Sequence, residues 1–145
     1  MNPDFVALLR ELTAADARFM VVGAYALAHH ARPRATGDLD IWVDPAPENA
    51  KRVHAALLVF GAPLGDLTVE ELSQPDLVYQ IGVVPRRIDI LTTLTGLDFA
   101  DAWPGHSVGT FGSMACPVLG RAELILNKRS LGRPRDLADL ESLGE

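Results

Sequence analysis

The apolar positions of the chain fall into helical and strand-like rhythms. Phe5, Leu8, Leu9 and Leu12 recur at helical spacing behind Asn2-Pro3, a capping residue and a proline suited to a first turn, which predicts a helix over 3–16. Phe19-Met20-Val21-Val22 is a continuous apolar run ended by Gly23, the signature of a buried strand. An alanine-rich, breaker-free stretch predicts a helix over 24–31, stopped by Pro33. Leu39-Asp40-Ile41-Trp42-Val43 reads as a second strand. A long helix is expected over 47–60, with Ala50, Val53, Leu57 and Phe60 on one side and Gly61 as its cap. Residues 62–76 are mixed, with a short helix around 68–72, where Thr68 and Glu71 have capping-box spacing. Two strands, 78–83 and 87–92, are joined at Val84-Pro85-Arg86 as a hairpin. From 93 to 112 the chain is rich in Gly, Thr and Ser and predicts loop with little regular structure. A short strand over 115–119, a helix over 121–131 closed by Gly132, and a last helix from Pro134 to about 143 complete the reading.

This order predicts an α/β (α+β) chain with a small mixed β-sheet flanked by helices, because the hairpin adds antiparallel pairing. Residues 1–145 read as a single domain without repeats. A hydrophobic fraction of 48% against 22% charged residues fits a globular core. The net charge of −6 argues against nonspecific nucleic-acid binding, which needs a basic face. Cys116 is the one cysteine, so no internal disulfide or Cys-based zinc spacing exists, and a reducing, cytoplasmic location is expected. Asp4, Arg10 and Glu11 interrupt the start of the chain, so no signal peptide is expected, and no apolar run approaches the ~18 residues of a membrane span.

The polar exceptions carry the chemistry. Asp38 and Asp40 are two apart in an apolar strand segment, so both are expected on one face, about 7 Å from each other. Asp89 is set among Ile88, Ile90 and Leu91 on a second strand and faces away from the two isoleucines. Were the two strands neighbours, three carboxylates would converge and repel one another. A divalent cation reverses that sign, and oxygen-only donors favour Mg²⁺ or Mn²⁺ over zinc. The plainer reading of each acid is a turn cap or a salt bridge, with Arg32, Arg34, Arg86 and Arg87 as nearby partners. Upstream, Val21-Val22-Gly23-Ala24-Tyr25 reads as strand, glycine turn and helix start, where free N–H groups suit a phosphate.

Gly23-Ala24, Asp38-Leu39-Asp40 and Asp89 in that order resemble the nucleotidyltransferase fold of the DNA polymerase β-like superfamily. The similarity is greatest to its small stand-alone bacterial branch, which includes abortive-infection and toxin–antitoxin nucleotidyltransferases. Tyr25-Ala26, His29, Arg34-x-Thr36, Asn49, Phe60-Gly61, Gln80-Ile81-Gly82, the run from Arg87 to Thr92, Asn127-Lys128-Arg129 and Arg133-Pro134-x-Asp136-Leu137-x-Asp139 extend the match over roughly residues 19 to 143. The resemblance implies transfer of a nucleoside monophosphate from an NTP, with ATP the expected donor, to the hydroxyl of a protein, tRNA or small molecule. It implies Asp38, Asp40 and Asp89 as catalytic residues and ligands of Mg²⁺ or Mn²⁺, and Gly23, Ala24, Arg34, Thr36 and Lys128 as the nucleotide-binding set. Ala24 departs from the superfamily, which has Ser or Gly there, and offers an N–H but no hydroxyl. The partners expected are the nucleoside triphosphate, an unidentified acceptor, and a second copy or a helical protein.

Other residues have plainer readings beside the functional one. Lys128 and its basic neighbours could contact phosphate or pair with Asp136, Asp139 and Glu141. Asp136 and Asp139 suit the first turns of the last helix. His29 and His30, adjacent on a helix, point about 100° apart and make a poor chelate. Trp42 shares the acidic face but is expected to pack in the core, and Trp103 could pack or stack. The alternative to an enzyme is a catalytically inactive member of the fold, a binding module or antitoxin-type interaction protein. A third reading is an unrelated α/β protein whose acids form salt bridges.

Overall fold

The computed structural model describes residues 1–31 and 37–145. Helix α1 (Pro3–Ala14) starts where Asn2 Oδ1 accepts the Asp4 N–H at 2.8 Å, and its Phe5, Leu8, Leu9 and Leu12 are buried. Strand β1 (Phe19–Val22) is buried at all four positions, as a central strand covered on both faces should be. Gly23 turns the chain into α2 (Gly23–His30), and β2 (Leu39–Val43) follows. Helix α3 (Pro47–Phe60) packs along α1 and stops at Gly61, which holds the left-handed φ of 88° that closes a helix without steric cost.

Strands β3 (Val78–Ile81) and β4 (Ile88–Leu91) form the expected antiparallel pair, each shorter than the sequence pattern suggests. The short helix expected over 68–72 is a 3₁₀ turn at Glu71–Ser73. Its capping box is present all the same: Glu71 N–H donates to Thr68 Oγ1 at 3.1 Å and Thr68 N–H donates to Glu71 Oε1 at 3.2 Å.

The loop expected over 93–112 is the main correction. It contains a short helix α4 (Phe99–Ala102), a 3₁₀ turn at Trp103–Gly105 and a whole strand, β5 (Ser107–Phe111). Strand β5 lies at the sheet edge, so Val108 and Thr110 face outward. Gly109 leaves room for Val118 and His29, whose atoms a Cβ would crowd. Strand β6 (Met114–Val118), α5 (Arg121–Leu131) and α6 (Pro134–Ser142) follow, and Gly132 closes α5 with a φ of 62°.

The six-stranded sheet has the order β3-β4-β2-β1-β6-β5. Strand β1 pairs antiparallel with β2 and parallel with β6, and β2 pairs parallel with β4. The β2–β4 pairing decides the fate of the acids, because its register sets Asp40 opposite Asp89. Helices α5 and α6 pack on each other, and α2 touches α5. No helix among the described residues is long and apolar enough to cross a membrane.

Candidate functional site

Parallel neighbours in register point their side chains to the same side of a sheet. Asp40 and Asp89, each second in its strand, therefore meet. Asp38 sits just before β2 and joins them from the strand entrance. Its Oδ1 accepts the Arg87 N–H at 3.0 Å, which extends the β2–β4 ladder by a side chain. The three acids singled out by the sequence are thus brought together.

They are unequally neutralised. Arg87 lies on the same face as Asp89, two residues away, and its Nε and Nη2 donate to Asp89 Oδ1 and Oδ2 at 2.8 and 3.2 Å. Its Nη2 also stands 3.5 Å from Asp38 Oδ2. Among the described residues, Asp40 has no such partner. Burial is the first cause that pushes its pKa up to about 6; the charge of Asp89, a shared hydrogen bond with it and the charge of Asp38 add to this, and Arg87 opposes. Those acids also have a glycine against them. Gly23 has a φ of 65°, and a Cβ on it would overlap the Asp40 carboxylate. Glycine is required here on two counts, the backbone angle and the close approach.

Gly23, Ala24 and Asp40 line a cleft of about 330 Å³ together with Asn127 and Lys128 of α5 and Arg133, Arg135 and Asp139 at and after the α6 start. Asp38 and Asp89 are not on its surface. A larger hollow of about 670 Å³ lies elsewhere, between the α1 start, Tyr25 and Arg86, and no member of the carboxylate cluster lines it.

Lys128 is placed at the cleft but already engaged: its Nζ lies 3.0 Å from Asp139 and 3.6 Å from Asp136. Asp136, fully buried, accepts from Arg133 Nε at 2.6 Å, from Nη2 at 3.1 Å and from the Arg133 N–H at 3.1 Å. The hydrogen bond from the Arg133 side chain is the main cause that lowers its pKa to about 2, with the Arg133 N–H and the charges of Arg133 and Lys128 supporting it. Asp136 and Asp139 are structural partners here, as their helix positions suggest. Arg34 and Thr36, the other two residues of the expected nucleotide-binding set, lie outside the described residues.

His29 and His30 do not converge on the cleft. His30 Nε2 donates to the Leu119 carbonyl at 2.7 Å, and His29 lies against Gly109. Burial and the neighbouring His30 lower the His29 pKa. Trp42 is core, edge-on to Phe99 at 5.0 Å, and Trp103 stacks on Phe99 at 5.7 Å beneath the Arg18 guanidinium.

Three residues of the site carry more weight than the sequence reading gave them. Arg87 is on the inward face by the same alternation that places Asp89 there, so its role was available from Arg-x-Asp spacing on a strand. Asn127 and Arg135 reach the cleft only through the docking of α5 and α6, which no local pattern encodes.

The donor chemistry of Asp38, Asp40 and Asp89 fits a hard divalent cation: oxygen only, clustered, with Asp40 short of positive charge. Among the described residues, however, no three His, Cys, Asp or Glu side chains form a ready cage. Arg87 is drawn toward Asp38 and Asp89 instead.

No family model and no curated protein matches this sequence. Among solved structures, a Thermotoga maritima protein provisionally named a nucleotidyltransferase is similar in fold, with a TM-score of 0.60 and 16% identity over 97% of this chain and 92% of that one. The likeness shows the fold: a six-stranded mixed sheet flanked by helices, of the kind found in that protein.

Proposed function

We propose that this protein is a metal-dependent nucleotidyltransferase. It would move a nucleoside monophosphate from an NTP, with ATP the first donor to test, to an acceptor hydroxyl on a protein, a tRNA or a small molecule. The α-phosphorus gains the acceptor oxygen, the bond to the β-phosphate oxygen breaks, and pyrophosphate and a proton are released. The observation that carries this reading is the alignment of Asp40 with Asp89 beside Gly23, where Asp40 lines a cleft shared with Lys128, Arg133 and Arg135.

Each residue has a role that follows from its placement. Asp38, Asp40 and Asp89 would hold Mg²⁺ or Mn²⁺, which when bound supplies charge neutralisation for the triphosphate and the attacking oxygen. Gly23 lets the main chain come close, and the Ala24 N–H at the start of α2 points a donor toward the phosphates. Arg135 and Lys128 add positive charge in the same cleft, Lys128 less freely because Asp136 and Asp139 hold it. Arg34 and Thr36 belong to the proposed nucleotide contacts on resemblance alone.

Incubation with α-labelled and, separately, γ-labelled NTPs, Mn²⁺ and cell extract tests this. Transfer of the α-label but not the γ-label to an acceptor, lost in Asp40→Asn, is the expected result. A second reading, an inactive binding module of the same fold, is favoured by Ala24 and by the pairing of Lys128. It predicts a raised melting temperature with Mn²⁺ and ATP but no transfer to any acceptor. No transfer and no thermal shift would remove both readings.

A further inference from the structure

We propose that Arg87 is the resident counter-cation of the carboxylate cluster, occupying the position of positive charge that a divalent cation takes when it enters. This rests on reading Asp38, Asp40 and Asp89 as a cation site. The guanidinium makes a two-pronged contact with Asp89 and reaches Asp38, the two acids that flank Asp40. A single side chain thereby binds two of the three groups a metal would need. Its own backbone N–H fixes Asp38 at 3.0 Å, so the arginine and the acid are held together across the entrances of β2 and β4.

Two features of the cluster follow from one cause, the positive charge that Arg87 supplies. It does not present a ready cage, because two of its acids are turned toward a guanidinium. And among the described residues its charge is incomplete, because one guanidinium cannot neutralise three acids. Arg87 is only partly covered, with 28% of its side chain exposed, so it has open space to swing into when displaced. Once displaced, it remains within side-chain reach of the site as a positive group for an incoming anion.

The exchange sets a competition, and competition has a sign. Removing Arg87 should weaken the metal-free fold and strengthen metal binding, two effects that move in opposite directions. A merely structural arginine would lower both, since a loosened site binds a cation less well.

The test is a Mn²⁺ titration of the full chain, followed by calorimetry and by the electron paramagnetic resonance of free Mn²⁺. Wild type, Arg87→Gln, Arg87→Lys and Asp40→Asn are compared, and metal-free melting temperatures are recorded alongside. Arg87→Gln should bind Mn²⁺ on the order of ten-fold more tightly than wild type, as expected when a competing charge within about 4 Å is removed. Its metal-free melting temperature should fall. Arg87→Lys keeps the charge but loses the fork, guards against a misfolded Gln variant, and should lie between the two. Asp40→Asn should abolish the binding. Mn²⁺ binding in wild type with unchanged or weaker affinity in both Arg87 variants overturns the role of Arg87 and leaves the cation site standing. No Mn²⁺ binding by any variant overturns the cation site itself.

Discussion

Asp40 and Asp139 line the same cleft, and each belongs to a cluster of acids with a member driven in the opposite direction from the other's, Asp40 upward and Asp136 downward. Asp136 is fully buried yet its pKa is lowered to about 2, whereas Asp40, less buried, is raised to about 6. Burial is the first cause for Asp40, whereas for Asp136 the hydrogen bond from the Arg133 side chain comes first. Asp136 and Asp139 meet Lys128 and Arg133, so the chain completes its own network. Among the described residues, Asp38, Asp40 and Asp89 meet one cation, Arg87, for three acids. A balanced cluster holds helices together; an unbalanced one is an invitation to a cation, and perturbed acids of that kind gather at functional sites.

The largest effect that would break this contrast lies on the balanced side. Asp136→Ala takes the two-pronged partner from Arg133, leaves Lys128 with Asp139, and removes the helix-start contact to the Arg133 N–H. Arg133 is half-exposed and Lys128 keeps Asp139, so the cost is that of lost hydrogen bonds to a charged group, and denaturant unfolding should shift by about 1.5–3 kcal/mol. The pH dependence has a definite sign. A carboxyl whose folded value lies below its unfolded value stabilises the fold above about pH 4, and that support is lost as the pH falls through about 2. A cost under 1 kcal/mol would mean the α5–α6 network is not what secures this part of the cleft.

A smaller effect of opposite sign is expected for Asp40→Asn. The folded pKa of Asp40 lies above the unfolded one, so the native state binds the extra proton between about pH 4 and about pH 6. Stability from this group is full below that window and falls as the pH rises through it. Asparagine has no such charge to bury. Metal-free Asp40→Asn should therefore be more stable than wild type at pH 7.5, by roughly 1–2 kcal/mol after allowing for the solvent that reaches the site. The two proteins should converge in thermal melts as the pH falls below about 4. A destabilised Asp40→Asn at pH 7.5 would place both clusters in the same, structural class.

How far this contrast could be read in advance depends on the range of each interaction. Strand alternation put Asp89 opposite Ile88 and Ile90, and helix ends at Gly61 and Gly132 followed from the left-handed angle each needs. These are local rules acting over a few residues. The convergence of Asp40 with Asp89 depends on two strands pairing in one register, which the pattern permits but does not impose. Edge strand β5 escaped notice because its outward Val108 and Thr110 and its central Gly109 leave no apolar run. The engagement of Lys128 by Asp139 crosses from one helix to the next, and the sequence offered it only as one of two options.

The smallest effect concerns the glycine turn rather than either cluster. Ala24 is half-buried at the start of α2 and lines the cleft beside Asp40. Ala24→Ser restores a hydroxyl at a point where a phosphate is proposed to lie, without changing the backbone. Stability should change by less than about 0.5 kcal/mol, since Ser is tolerated in a first helical turn. A single added hydrogen bond is worth about 0.5–1.5 kcal/mol, so titration with a nonhydrolysable ATP analogue and Mg²⁺ should show roughly two- to ten-fold tighter binding. Adenosine should gain nothing, because it carries no phosphate for the hydroxyl to meet. Equal gains for both ligands would put the base, not the phosphates, beside Gly23, and the unbalanced acids would then face the wrong end of the nucleotide for the transfer proposed.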